Sequence, residues 1–270
     1  MIFFSDDGKL IELLEGLTDN DYKKWVRFVL TDSTEYTMFI NTEENIFTLK
    51  VSKHYEQWSY SLFDFIGYEE SYGKNIILDV AIEDYEMAKI NYANHHYQDK
   101  YIREYEPEVL VHSTTWESWQ KIKSEQCLRS WNLLKKDDPD FEKEPIGKQL
   151  GDPPNYCDYI MFSDGHVAGE IVVSSKQHGY IEMNAQKEYQ TGARLYFDMK
   201  KIAEDGLLVR DGSHLKVKDQ LPLGNYLIWV GTWENTGLTS QIGTPLEFTI
   251  AANQTFNGLF GKNIEPCNED

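Results

Sequence analysis

Hydrophobic residues recur at two different spacings in the first part of the chain, which predicts a mixture of helices and strands. Apolar side chains at helical intervals predict helix over residues 9–31. Residues 36–51 place two apolar runs around Asn-Thr-Glu-Glu-Asn, a pattern typical of a hairpin. The aromatic-rich run 58–66 and the run 75–82 extend the β character, and residues 83–97 return to helical spacing.

The stretch 107–135 combines a strand, a histidine and a helix. Residues 109–111 form a short apolar run typical of a buried strand, and His112 stands where that run stops. Ser113 and Thr114 are suited to capping a helix, and Glu117 follows Thr114 at capping-box spacing. The backbone N–H groups at such a junction favour anions. The alternative is a polar turn whose histidine only caps the strand.

The remainder of the chain predicts several short strands. Before these strands, the polar, proline-containing segment 135–155 is predicted to be a loop. A loop of this length inside a domain is usually functional or mobile. The run 168–176 fits either a strand or a helix, and residues 200–205 fit a helical turn. From Asn253 onward the periodicity is lost, which predicts an irregular tail. The predicted strands are 158–163, 193–199, 207–209, 215–217, 226–230 and 245–251.

The polar segment 98–107 ends in proline and is the predicted domain boundary. We therefore expect an α+β protein with an N-terminal α+β module at 1–106 and a second domain at 107–270. The N-terminal module would bind a partner or have a regulatory role.

Composition narrows the class of protein. With 270 residues, 41% hydrophobic and 14% aromatic, the chain is long and apolar enough for a globular core. The formal net charge is −19, and it is not confined to a tail. An acidic surface repels phosphate backbones, so we expect no extended nucleic-acid surface, although a local pocket could hold one nucleotide. The alternative is that the charge serves solubility alone.

Cysteine usage and the N-terminus favour a cytoplasmic protein. Cys127, Cys157 and Cys267 form no C-x-x-C pattern. The N-terminus turns acidic where a signal peptide is basic and then apolar, and no apolar run is long enough to span a bilayer. We expect no membrane partner.

Two other kinds of site are disfavoured. His95 and His96 are adjacent, and adjacent residues on a helix face apart, so no metal site is predicted. Ser163 and His166 lack the sequence of a nucleophile elbow, so a Ser/His/Asp hydrolase is not predicted.

Three segments occur in an order that resembles a known superfamily. The first is His112-Ser113-Thr114 between a strand and a helix. The second is residues 195–210, Leu-Tyr-Phe-Asp-Met-Lys-Lys-Ile-Ala-Glu-Asp-Gly-Leu-Leu-Val-Arg, followed by Gly-Ser-His-Leu-Lys-Val at 212–217. The third is Leu-Pro-Leu-Gly-Asn-Tyr at 221–226. Together they resemble the NAD-dependent ADP-ribosyltransferase superfamily, with the nearer likeness to the RNA 2′-phosphotransferases.

The resemblance implies a split antiparallel sheet that binds NAD in its cleft as a substrate. It implies that His112 hydrogen-bonds a ribose hydroxyl of the nicotinamide half, that the Ser113 backbone holds the carboxamide, and that Thr114 supports the adenosine side. An aromatic residue on the second strand would stack on nicotinamide, with Tyr159 as the first choice and Phe162 as the reserve.

The resemblance also suggests roles for charged residues. Arg129 would pair with the diphosphate, and Arg210 and His214 would face the acceptor, which is a protein or a nucleotide. Glu182 is the candidate for polarising a ribose hydroxyl, with Glu188 and Asp219 as alternatives.

The sequence departs from the superfamily pattern in three places. Ser113 replaces the expected glycine, no glutamate falls at an obvious superfamily position, and the Leu-Arg-His segment of the phosphotransferases is missing from the N-terminal region. The predicted activity is cleavage of the nicotinamide N-glycosidic bond with transfer of ADP-ribose. The alternatives are an RNA 2′-phosphotransferase and a non-catalytic interaction protein with a degenerate form of the fold.

Overall fold

The computed structural model describes residues 1–5, 23–34, 37–41, 46–138 and 145–265. The chain divides into two compact units. The first unit comprises 1–99 with 151–153 and 209–214, and the second unit comprises 100–150, 154–208 and 215–270. Helices and several sheets occur together, in agreement with the predicted α+β class. The predicted boundary between residues 106 and 107 stays a prediction.

The first unit is built on a mostly parallel five-stranded sheet with strand order β1-β5-β2-β4-β3. Strands β1, β5, β2 and β4 run parallel, and β3 is antiparallel to β4, which confirms the predicted hairpin. The elements are β1 (Ile2–Phe4), β2 (Trp25–Thr31), β3 (Thr37–Asn41), β4 (Ile46–Ser52), α1 (Trp58–Ser71), β5 (Asn75–Asp79) and α2 (Ile82–Tyr92).

Two segments of the first unit differ from the sequence-based expectation. Within the predicted helix 9–31, residues 9–22 lie outside the described part, and Trp25–Thr31 is strand β2. Val26, Phe28 and Leu30 alternate into the core, a two-residue period that the helical interpretation missed. Residues 58–66, predicted as a strand, belong to helix α1, because Leu62, Phe65 and Ile66 recur at helical spacing and pack on the sheet.

The second unit contains more, shorter elements than the first. Strand β11 passes from one unit to the other along the chain. The elements are β6 (Val109–Thr114), α3 (Trp116–Glu125), β7 (Cys127–Arg129), α4 (Trp131–Asp137), α5 (Gly147–Leu150), a 3-10 helix (Pro154–Asp158), β8 (Tyr159–Phe162), α6 (Ala168–His178), β9 (Tyr189–Gln190), β10 (Ala193–Asp198), α7 (Met199–Glu204), β11 (Leu208–Arg210), β12 (Leu215–Lys218), β13 (Gln220–Pro222), β14 (Leu227–Thr232), β15 (Ile242–Gly243) and α8 (Pro245–Phe260).

The centre of the second unit is the antiparallel sheet β14-β10-β6, which has a hydrophobic cluster on each face. Successive side chains of a strand point to opposite faces, so Leu195 and Phe197 enter one cluster while Tyr196 enters the other. Helices α6 and α8 contribute Val173 and Phe248 to the cluster that contains Tyr196. Around this sheet, β8 pairs antiparallel with β12, β7 with β13, and β9 with β15.

In the second unit one boundary and one type of element differ from the expectation, and one open alternative is decided. Strand β6 continues through Thr114, and helix α3 is capped by Thr115, whose Oγ1 accepts a hydrogen bond from the backbone N–H of Ser118. The ambiguous run 168–176 is helix α6. Residues 245–251, predicted as the last strand, and much of the tail predicted to be irregular form helix α8.

Candidate functional site

Strands β6 and β8 share one backbone bridge, and no further backbone pairing joins them within the described residues. Val111 and Ser163 exchange backbone hydrogen bonds, with N···O distances of 2.8 and 2.9 Å. On its other edge β6 pairs with β10 along its whole length, while β8 pairs with β12. Beyond the Val111–Ser163 bridge the strands run on as Val111 to Thr114 and as Ser163 back to Tyr159. We call the gap between these two segments the split.

His112 lies at the split and reaches across it. Its Nδ1 atom is 3.0 Å from the carbonyl oxygen of Met161 in β8, and its ring centroid is 6.0 Å from that of Phe162 at a steep angle. Burial lowers the pKa of His112 from 6.5 to about 4, and the positive charge of Lys176 acts in the same direction, while the Met161 carbonyl partly opposes both. The imidazole is therefore neutral at pH 7.

The hydrogen bond to Met161 also fixes the tautomer of His112. A carbonyl oxygen only accepts, so Nδ1 carries the hydrogen and donates it. In the neutral ring Nε2 then keeps its lone pair and is an acceptor. This arrangement can receive a hydrogen bond from a hydroxyl group.

The backbone of Ser113 is directed at the split. N–H and C=O groups alternate between the two edges of a strand, and those of Val111 bond to Ser163 in β8. Ser113 is two residues further along β6, so its N–H and C=O point to the same edge, where the strands have separated. A donor and an acceptor therefore face a gap next to an imidazole acceptor. This combination suits a carboxamide beside a hydroxyl group.

The side chain of Ser113 points to the opposite face from His112. A Cβ atom built on Gly169 of α6 would come within 2.9 Å of Ser113 Oγ, so the two residues are in close contact. Arg194 Nη1 donates to Ser113 Oγ at 3.4 Å. The serine that replaces the expected glycine therefore directs its extra atoms toward α6 and β10, and it is accommodated because residue 169 has no side chain.

Thr114 is the last residue of β6 and packs closely against neighbouring residues. Its side chain is buried, and its backbone carbonyl lies against Gly192, where an added Cβ would come within 1.8 Å of the oxygen. Only a glycine fits at residue 192, and this close approach precedes the pairing of Thr114 with Ala193. The end of β6 is therefore held rigidly by β10.

The two candidate aromatic residues lie on opposite faces of β8. Phe162 belongs to the cluster that contains Phe197, and the two rings meet edge to face at 5.5 Å. Tyr159 is three residues away, and its ring lies 4.6 Å from Lys216 Nζ. Of the two, Phe162 is the ring beside His112.

Arg129 already has side-chain partners, and Asp219 is held through its backbone. Arg129 Nη1 is 3.0 Å from Asp137 Oδ2 and 3.7 Å from Glu125 Oε2. Binding of a diphosphate to Arg129 would therefore compete with two carboxylates. Asp219 has a φ of 60° between β12 and β13, and its backbone carbonyl accepts from the N–H of Ser130 at 2.6 Å.

Glu182 lies in the loop after α6 and is tied to that helix. Its backbone N–H donates to Ser175 Oγ at 2.9 Å, and its two carboxylate oxygens accept from the Asn184 N–H and the Tyr180 hydroxyl. Lys176, whose charge acts on His112, is the residue after Ser175. The loop is thus attached to the end of α6 that influences His112. Glu188 is exposed.

Arg210 and His214 belong to the first unit. Arg210 is buried, and its Nη1 donates to the carbonyl of Asp99 at 3.2 Å. The imidazole of His214 is 3.5 Å from Asp211 Oδ2. Their proposed contact with an acceptor stays a prediction.

Sequence reasoning missed a buried polar network behind the split. Arg194, Glu170 and Asn253 are at most 1% exposed. The signal was present, because Arg194 interrupts an apolar strand and Glu170 interrupts an apolar helical run, and a charge in such a position needs partners. Sequence alone does not show which residues these partners are.

The described residues hold no cluster of three or more histidine, cysteine, aspartate or glutamate side chains able to bind a metal ion. None of the described helices is long and apolar enough to cross a membrane. Comparison of the chain with protein-family models, with curated proteins and with solved structures finds no match.

Proposed function

We propose that the second unit binds NAD in the split and transfers its ADP-ribose group to an acceptor, with the overall plan of the ADP-ribosyltransferase superfamily. The supporting observation is the polar edge of β6. A neutral His112 presents a lone pair on Nε2, and the next residue, Ser113, presents a backbone donor and acceptor to the same gap.

The chemistry needs few protein groups. The bond between ribose C1′ and the nicotinamide nitrogen breaks, and its electron pair leaves with nicotinamide. The acceptor's nucleophile bonds to C1′ and releases a proton. The transition state resembles an oxocarbenium ion, so the site mainly orients the ribose and excludes water. His112 accepts from a ribose hydroxyl, the Ser113 backbone holds the carboxamide, and Phe162 lies against the nicotinamide side.

The acceptor is a protein or a single nucleotide in this proposal. A net charge of −19 opposes the approach of a long polyanion, which makes the RNA 2′-phosphotransferase activity the weaker alternative. Glu182 is the candidate for polarising a ribose hydroxyl in this proposal.

A non-catalytic protein that binds NAD is the second candidate. The observation that favours it is the engagement of Glu182, because both of its carboxylate oxygens accept hydrogen bonds from its own loop. A site with the ribose and carboxamide contacts, and with Glu182 held in its own loop, would bind the dinucleotide without cleaving it.

The test is incubation of the purified protein with NAD labelled in the nicotinamide ring, followed by chromatography for free nicotinamide, with binding measured by calorimetry. We expect release by the native protein and a decrease of at least about tenfold in His112→Ala, since one hydrogen bond contributes roughly 1.4 kcal/mol.

The matched control is His54→Gln. The imidazole of His54 also bonds a backbone carbonyl, that of Asp32 at 3.1 Å, but it is exposed in the first unit, so release should be unchanged. Binding without release by the native protein would support the second candidate. Absence of both binding and release would overturn the proposal.

A further inference from the structure

Arg194 is a fully buried cation in the middle of the central sheet. It lies on β10, and its side chain enters the face covered by α6 and α8. Its Nη2 atom donates to the carbonyl of Gly165 at 2.7 Å and to Asn253 Oδ1 at 3.2 Å. Its Nη1 atom is 3.4 Å from each of Ser113 Oγ, Glu170 Oε1 and Thr249 Oγ1.

These contacts connect β6 with the turn after β8, at the closed end of the split. Ser113 belongs to β6, and Gly165 belongs to the turn that follows β8, just past the bridge at Ser163. The planar guanidinium group presents several N–H donors in a fixed geometry, so one side chain can hold both backbone segments at a set separation. Asn253 supports this arrangement, because its Nδ2 donates to the same Gly165 carbonyl at 2.9 Å.

The turn at Gly165 has little freedom to move. Its φ of 101° is a conformation that residues with side chains rarely adopt, and an added Cβ would come within 2.3 Å of Ile264 Cγ2. The carbonyl that Arg194 and Asn253 both contact is therefore presented by a constrained backbone.

The charge of Arg194 is compensated by Glu170. Glu170 is also fully buried, and its other oxygen accepts from the Tyr189 hydroxyl at 2.6 Å. Such a pair is weak evidence for added stability, because removing two charges from water costs several kcal/mol and an apolar substitution is often as stable. A role in geometry accounts better for a pair whose donors reach both β6 and the turn after β8.

We propose that Arg194, held by Glu170, is a positioning residue that sets the width of the split and thereby the affinity for a dinucleotide. The choice of NAD as the ligand rests on the proposed function. The control of the split by Arg194 does not depend on it.

The imidazole of His112 reports the width of the split without any ligand. Its hydrogen bond to Met161 crosses the split, and the side chain is half-buried there. The charged group that acts on it is Lys176 of α6, while Glu170, Tyr189 and Tyr196 surround Arg194 on the other face. Widening the split admits water to His112 and moves its pKa from about 4 toward 6.5.

The experiment is an NMR titration of the histidine ring protons in the native chain and in Arg194→Lys. The His112 signals are assigned by their loss in His112→Ala. Lysine keeps the positive charge beside Glu170 but cannot bond both β6 and the turn after β8. We expect the pKa of His112 to rise by one unit or more in Arg194→Lys, and the Kd for NAD to increase about tenfold. Near-ultraviolet circular dichroism verifies that the variant is folded.

Ser113→Ala and Thr249→Val form a matched pair, because each removes one hydroxyl at 3.4 Å from Arg194 Nη1, the first in β6 and the second in α8. Only Ser113→Ala should raise the His112 pKa. If Arg194→Lys does not fold, the comparison of Ser113→Ala with Thr249→Val tests the proposal in its place. An unchanged His112 pKa in folded Arg194→Lys, or equal shifts in the matched pair, would overturn the proposal. A raised pKa with no NAD binding by the native chain would support control of the split and contradict the proposed function.

Discussion

At the scale of single residues, the chemistry of the split depends on the protonation state of His112. A protonated ring has donors on both nitrogens and cannot accept a hydrogen bond from a ribose hydroxyl. Burial and Lys176 keep the ring neutral, and the Met161 carbonyl decides which nitrogen carries the hydrogen. One backbone contact therefore determines which atom of His112 is offered to a ligand.

The lowered pKa of His112 predicts a pH dependence of stability. The unfolded chain takes up this proton near pH 6.5, while the folded chain takes it up near pH 4. Stability is therefore fully present above pH 6.5 and is lost as the pH falls toward 4, by up to about 3 kcal/mol. Urea unfolding at pH 7.5 and 4.5 measures this loss. It should be smaller in His112→Ala and unchanged in His54→Gln; equal losses in all three proteins would contradict the assignment.

The sequence pointed to part of the candidate site at this scale. His112, Ser113 and Phe162 stand where a strand and its neighbour come together, and their order along the chain is visible in the sequence. The preference for Phe162 over Tyr159 was not visible, because the face to which each ring points depends on where β8 begins. Arg194 was missed for the same kind of reason, since its partners come from four separate elements.

At the scale of elements, local capping signals and core packing account for the boundaries that sequence analysis placed wrongly. Helix α8 begins with Thr244 as its cap and Pro245 in its first turn, and Glu247 completes a capping box. The apolar content of 245–251 favours a strand, but these three residues make the segment the start of a helix. In β2 the opposite occurs, because a strand is predicted as a helix. Trp25, Phe28 and Val29 match helical spacing by coincidence. The buried row of the strand is formed by Val26, Phe28 and Leu30.

The capping box of α8 predicts a measurable loss of stability in Thr244→Ala. Thr244 Oγ1 accepts from the Glu247 N–H at 3.2 Å, and Glu247 Oε2 accepts from the Thr244 N–H at 3.1 Å. Removing the hydroxyl should lower the unfolding free energy by about 1 kcal/mol in a urea titration. The control is Thr255→Ala in the same helix, whose hydroxyl bonds the Ala251 carbonyl, and it should change stability by less than about 0.5 kcal/mol. Equal effects would contradict the capping role.

At the scale of the whole molecule, charge limits the choice of partner. The net charge of −19 follows from composition alone, so this limit could be predicted from the sequence. The division into units could be predicted from the sequence only in part. Residues 151–153 and 209–214 are far from the rest of the first unit in sequence yet belong to it in space. No local pattern signals such a return of the chain.

The charge predicts that the protein does not bind a long single-stranded RNA. A filter-binding assay with a 30-nucleotide RNA at about 0.15 M salt should show no saturable binding below roughly 10 μM. NAD binding measured in the same buffer is the comparison, because a dinucleotide needs only a local site. Tight RNA binding that weakens steeply with added salt would contradict this prediction and would favour the phosphotransferase alternative.

The contact between Ser113 and Gly169 carries a consequence for related chains. The space between β6 and α6 admits one small polar side chain, and in this protein residue 113 supplies it. A homologue with glycine at position 113 has room for alanine or serine at position 169, whereas a homologue that enlarges both positions must move the helix away from the strand. The two positions should therefore covary, each compensating the volume of the other, and aligned homologues will show the pairing as a correlated exchange.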